Sequence, residues 1–113
     1  MNKSIQTLVA AGTMMLAFVS VGSLSAEEAM AKASIRPVGK VKEADLPALA
    51  KITMADALKA ALAKAPGSAV KAELEVEDGN LVYSFEIVGT DKSITEVEVD
   101  AGDAKILGVD KEK

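Results

Sequence analysis

Between Val70 and Ile87 apolar and polar residues alternate with a period of two, broken once by Asp78-Gly79. Val70, Ala72, Leu74 and Val76 alternate with Lys71, Glu73, Glu75 and Glu77, and Leu81, Tyr83, Phe85 and Ile87 form a second apolar row. A period of two is the mark of a strand whose two faces meet different surroundings. Asp-Gly favours the two-residue hairpin turn, because both positions adopt positive φ there. With Glu77 opposite Asn80, Val76 faces Leu81, Leu74 faces Tyr83, Ala72 faces Phe85 and Val70 faces Ile87. A slip of one residue would turn every apolar side chain to the wrong face, so turn and pattern specify one register.

The flanking segments supply what this hairpin needs to bury its apolar side. Thr53 with Asp56 three residues on reads as a helix N-cap and capping box. Met54, Leu58, Ala61, Leu62 and Ala65 then make one apolar stripe, with Asp56, Lys59 and Lys64 away from its centre. Pro66-Gly67 stops the helix. Before it, residues 43–52 read as a short helical turn capped by Asp45, with Leu46, Leu49 and Ile52 on one side. After the hairpin, Gly89 to Lys92 form a turn. A third strand places Thr95, Val97 and Val99 inward and Glu96, Glu98 and Asp100 outward, and a turn around Gly102 follows. A short strand over 104–109 and a charged tail end the chain. The expectation is an α+β domain over 43–113: one main helix packed on an antiparallel meander of three to four strands, with a short helical turn before it.

The first part of the chain has another character. Lys3 precedes an uncharged run from Ile5 to Val21, and small residues follow at Gly22, Ser23, Ser25 and Ala26. This is the layout of a secretory signal peptide over 1–26, cut after Ala26 or, as second choice, after Ala31. The run is shorter than the ~20 apolar residues of a membrane span. Residues 27–42 have no sustained period and read as a flexible lead-in. The chain has no cysteine, which excludes disulfides and lipid attachment through cysteine. Of 13 Lys and Arg only Lys3 precedes residue 27, whereas all 17 Asp and Glu lie from Glu27 onward, so the exported part carries a net charge of −5. That balance disfavours nucleic acid. A soluble periplasmic or secreted protein is expected, with no membrane contact after cleavage.

Histidine is absent as well as cysteine. Ser-His-Asp, Cys-His and His-ligated metal arrangements are thereby excluded together. Serines remain at Ser34, Ser68, Ser84 and Ser93, and nothing marks a Ser/Lys pair among them. One helix on a small sheet leaves little room for a catalytic cleft. No catalytic residue and no cofactor are therefore assigned. The densest polar cluster is the acidic face of Glu86, Glu96, Glu98 and Asp100, with Glu73 and Asp103 near it. Carboxylates at that density can hold Ca²⁺, but the calcium-loop pattern fails, with Ala101 where glycine belongs and Leu107 where glutamate belongs. The cluster reads as a solvated sheet face. The strand from Lys71 to Val76 is a candidate edge for capturing an extended peptide. Tyr83 and Phe85 read as core rather than a ligand-stacking pair.

Several stretches together resemble the PepSY domain, a module found in propeptides of secreted metallopeptidases and in small exported bacterial proteins. They are Ala65-Pro66-Gly67 at the helix end, Val70-Lys71-Ala72-Glu73-Leu74-Glu75, Asp78-Gly79, Leu81-Val82-Tyr83-Ser84-Phe85-Glu86-Ile87, and Val97-Glu98-Val99-Asp100-Ala101-Gly102-Asp103-Ala104-Lys105-Ile106-Leu107. The resemblance spans Ile52 to Val109. Family members usually carry glycine just before the last strand, where this chain has Ala104. The resemblance implies a helix on an antiparallel sheet, no catalytic residues, and a binding or regulatory role that, without an attached peptidase, would act on a peptidase in trans. The alternative reading is an acidic envelope protein that binds or buffers metal cations.

Overall fold

The computed structural model describes residues 32–112. The expected signal peptide over 1–26 lies outside the described residues. A 3-10 turn (Glu43–Asp45) leads into α1 (Leu46–Leu49) and then α2 (Met54–Lys64). Four strands follow: β1 (Ser68–Glu77), β2 (Asn80–Val88), β3 (Ile94–Asp100) and β4 (Ile106–Glu112). They form one antiparallel meander in the order β1-β2-β3-β4. A helix on one face of a four-stranded sheet is the α+β architecture expected.

The Asp78-Gly79 turn has the backbone its residues imply, with φ of 52° and 82°. Val76 pairs with Leu81, Leu74 with Tyr83 and Ala72 with Phe85, as the alternation requires. Val70 departs from that register. A bulge between Ala69 and Lys71 puts Ala69 opposite Ile87 and leaves Val70 62% exposed. At Gly79 a β-carbon would sit 2.8 Å from the Arg36 guanidinium as well as at a positive φ. Gly79→Val is therefore expected to cost about 1–2 kcal/mol, read from denaturant midpoints at constant slope.

Thr53 caps α2 by accepting the Asp56 N–H at 3.1 Å. The buried centre of the helix is Ala57 and Ala61 rather than the longer residues of the expected stripe. Met54 is 38% exposed, and Leu58 and Leu62 lie half-buried at the flanks. Two alanines let the helix backbone approach β2 and β3, where Leu81, Tyr83, Phe85, Ile87, Val97 and Val99 complete the core. Tyr83 is core on this side, its hydroxyl donating to the Ile52 carbonyl at 2.8 Å. Asp45 makes no side-chain cap for α1, and of the three residues expected on one side only Leu46 is buried. The last strand begins at Ile106 and runs to Glu112, so it starts later than the sequence pattern suggests and extends into the charged tail. Pairing with β3 orders residues whose own pattern is polar.

The segment expected to be a flexible lead-in is not wholly so. The Ala33 N–H donates to Asn80 Oδ1 at 2.9 Å, and the Arg36 guanidinium donates to the same oxygen. The Ile35 carbonyl accepts the Leu81 N–H at 3.0 Å. Ser34 donates to Asp100 through its backbone N–H at 2.7 Å and its hydroxyl at 2.8 Å. Residues 33–36 thus close the sheet end where β2 begins and β3 finishes.

Candidate functional site

Alternation along the strands sorts their side chains onto two faces. Opposite the helix lie Glu73, Glu75 and Glu77 on β1, Glu86 on β2, Glu96, Glu98 and Asp100 on β3, and Asp110 on β4, with Lys71 as the cation among them. Lys71 reaches Glu86 at 3.9 Å. The helix-free face is therefore strongly acidic, and its carboxylates are not equivalent.

Glu98 is almost fully buried, at 7% exposure, although its position in the alternation pointed to solvent. On the same face Val82, opposite Glu75 and Asp100, is also fully buried and lies outside the helix-side core. Burial first, then the nearby Glu96 and Glu77 charges, push the Glu98 carboxyl up to about 8. Burial and the Glu75 charge raise Glu77 to about 7. Glu75 is raised too, by burial and then by Glu73. Each high carboxyl is hydrogen-bonded to a neighbouring one, Glu98 to Glu96 and Glu77 to Glu75. Ser84 also donates to Glu96, at 3.1 Å. Carboxylate oxygens of Glu77, Glu96 and Glu98 lie within 4.8 Å of one another.

Of the acidic face named from sequence, the structure sets Glu86 directly opposite Glu96 and brings Glu96 and Glu98 together. Glu86 pairs with Lys71, and Asp100 belongs to the sheet end. Burial works to raise the Asp100 carboxyl, but the Ser34 and Gly102 N–H groups and the Ser34 hydroxyl outweigh it and hold it below its usual range. Asp100 is thus a structural anchor rather than part of a solvated face. Glu77 and Glu75 were missed as members of the cluster. Their parity with Glu73 was visible in the sequence, but the reach of Glu77 toward Glu96 and Glu98 depends on sheet twist and side-chain length.

On the helix side, α2 covers β2 and β3 and leaves the apolar row of β1 open. Val76 is 41% exposed. Between this row and the α1 segment runs an open cleft of about 610 Å³, lined by Val41, Leu46, Pro47, Met54, Leu74 and Val76 among others. There is thus more room than one helix on a small sheet suggested, but the lining offers only carboxylates, at Glu43, Glu73 and Glu75, as titratable groups. A second cleft of about 500 Å³ lies by Pro66, Ile87, Thr95 and Lys111. Ser93 lines it, and the Ser93 hydroxyl donates to Asp91 Oδ1 at 2.6 Å. Both clefts are open to solvent, unlike the enclosed pockets in which small substrates are desolvated. Among the described residues no helix is long and apolar enough to cross a membrane.

No curated protein and no solved structure matches the chain. The family model described as Peptidase propeptide and YPEB domain matches residues 51–110, more than half of the 113-residue chain. The match starts just before the α2 cap and ends within β4, so it takes in the helix, the hairpin and the acidic strands together. The chain belongs to the PepSY family.

Proposed function

We propose that this protein is an exported, non-catalytic recognition module that binds a peptidase in trans and modulates its activity. The observation that carries the reading is membership of a propeptide-type family in a chain that pairs an acidic sheet face with an open apolar cleft. Propeptide modules act by holding a surface. What this domain offers a partner is surface: a sheet edge, a cleft and a field of carboxylates. The missing histidine and cysteine point the same way, since the commonest proton shuttles and thiol nucleophiles are absent.

The test is crosslinked capture from the exported extract of the source cells, paired with turnover assays on the same purified protein. A retained peptidase, and no peptide, ester or glycoside turnover, is the expected result. Turnover lost on a single substitution would overturn the non-catalytic reading. One observation favours a second reading, the buffering of divalent cations: the mutual spacing of Glu77, Glu96 and Glu98 suits oxygen ligation. Calcium titration that saturates in the parent and fails in Glu96→Gln would support it.

A further inference from the structure

We propose that the outer edge of β1 is the docking surface, and that its occupant is an extended segment of a partner protein in which aliphatic residues alternate with lysine or arginine. It would add to the sheet as a further strand beside β1. The proposal rests on the reading of the chain as a recognition module and gives that module its contact site.

The backbone supplies the first argument. β1 is a terminal strand of ten residues, and among the described residues its backbone makes no hydrogen bond beyond its pairing with β2. Folded proteins blunt such edges with lysine, proline, bulges or a covering element. Here the bulge and Lys71 protect only the first part of the strand. From Ala72 to Val76, among the described residues, no lysine, proline or bulge follows, and the charges there are the glutamates Glu73 and Glu75. The other edge, β4, is better blunted. A bulge breaks its pairing at Glu98/Val99, and Asp110, Lys111 and Glu112 give its end mixed charge.

The two faces of β1 then define the side chains that fit. A strand added to this edge alternates its residues between the same two faces. One set enters the cleft against Leu74, Val76, Val41 and Met54, which takes aliphatic groups. The other set lies beside Glu73, Glu75 and Glu77, which Lys71, engaged with Glu86, does not neutralise. Cationic side chains relieve that crowding. A second copy of this chain fits worse. Antiparallel pairing of two β1 edges would set two rows of glutamates together on one face.

The probe is a blocked octapeptide alternating lysine and valine, added to the purified protein. The expected result is saturable binding that weakens with salt and is at least about tenfold weaker when glutamate replaces lysine. N-methylation of alternate peptide amides should abolish it. Amide hydrogen exchange should slow at 68–77 and not at 106–112. Val76→Asp, at an exposed position, should weaken binding by about tenfold with the domain still folded, as checked by circular dichroism. Equal affinity for the acidic peptide, or protection at 106–112, overturns the proposal. So does protection of the outer β1 amides before peptide is added, which would assign the edge to the chain's own N-terminal segment or, if sedimentation shows a dimer, to a second copy. A captured peptidase that protects another surface sinks this edge and leaves the recognition reading standing.

Discussion

Replacing Asp100 with alanine is expected to cost about 3 kcal/mol and to free the segment around Ser34 from the sheet end. The carboxylate is 2% exposed and accepts from the Ser34 N–H, the Ser34 hydroxyl and the Gly102 N–H, all at 2.7–2.8 Å. Hydrogen bonds to a charged acceptor contribute about 1.5–3 kcal/mol each, and their loss leaves three part-buried donors, two on Ser34 and one on Gly102, without this acceptor. Asp100→Asn should lose less, because the amide oxygen still accepts. Urea unfolding gives the stability, and amide exchange at 33–36 gives the local effect. Unfolding midpoints within error of the parent, with 33–36 still protected, would show that the anchor is not Asp100. The pH signature follows from its direction of shift. A carboxyl held below its usual range stabilises the fold above its unfolded value of about 3.9, and that contribution disappears as pH falls through the lower folded value.

The acidic cluster is expected to act in the opposite sense and in another window. Glu98 at about 8 and Glu77 at about 7 hold protons in the fold that the unfolded chain releases near 4.5. Between those values the folded state binds more protons, so stability falls as pH rises. From pH 5 to pH 8.5 the loss should be about 2 kcal/mol, well under the sum of the separate shifts, since the groups titrate together and Glu77 is partly solvated. Sharing this face with Glu98 are Glu73, Glu75 and Glu77 from β1, Ser84 and Glu86 from β2, Glu96 and Asp100 from β3 and Asp110 from β4, with Lys71 as a cation among them and the Arg36 guanidinium bonded to Asn80 at its end. Glu98→Gln keeps the shape and an N–H donor for Glu96. It should match the parent at pH 5 and exceed it at pH 8.5 by about 1–2 kcal/mol. Urea midpoints across pH 5 to 8.5 that stay flat or rise would contradict this.

The hairpin was legible because two independent signals agreed. Asp78-Gly79 admits one turn geometry, and only one register matches Val76, Leu74 and Ala72 to Leu81, Tyr83 and Phe85. The Thr53 cap and the Pro66-Gly67 stop were legible for the same reason, being local chemistry. What escaped depends on tertiary contact. The bulge that displaces Val70 has no local signal. Ala57 became the helix centre because close approach to β2 and β3 favours small side chains over large ones, and a stripe read from hydrophobicity ranks them the other way. The docking of 33–36 is built on bonds reaching from Ala33 to Asn80 and from Ser34 to Asp100, which no periodicity within 27–42 encodes. In the candidate site, alternation placed Glu96 and Glu98 on one face. It could not say that Glu98 would be buried or that Asp100 would be an anchor.

The most direct measurement is proteolytic rate against added protein, using a peptidase captured from the exported extract. The rate should change saturably, with its break near a one-to-one ratio, and the change should diminish as salt screens the acidic face. A rate unchanged at a large molar excess of the protein, in low salt and with the protein shown to be folded, would contradict the account.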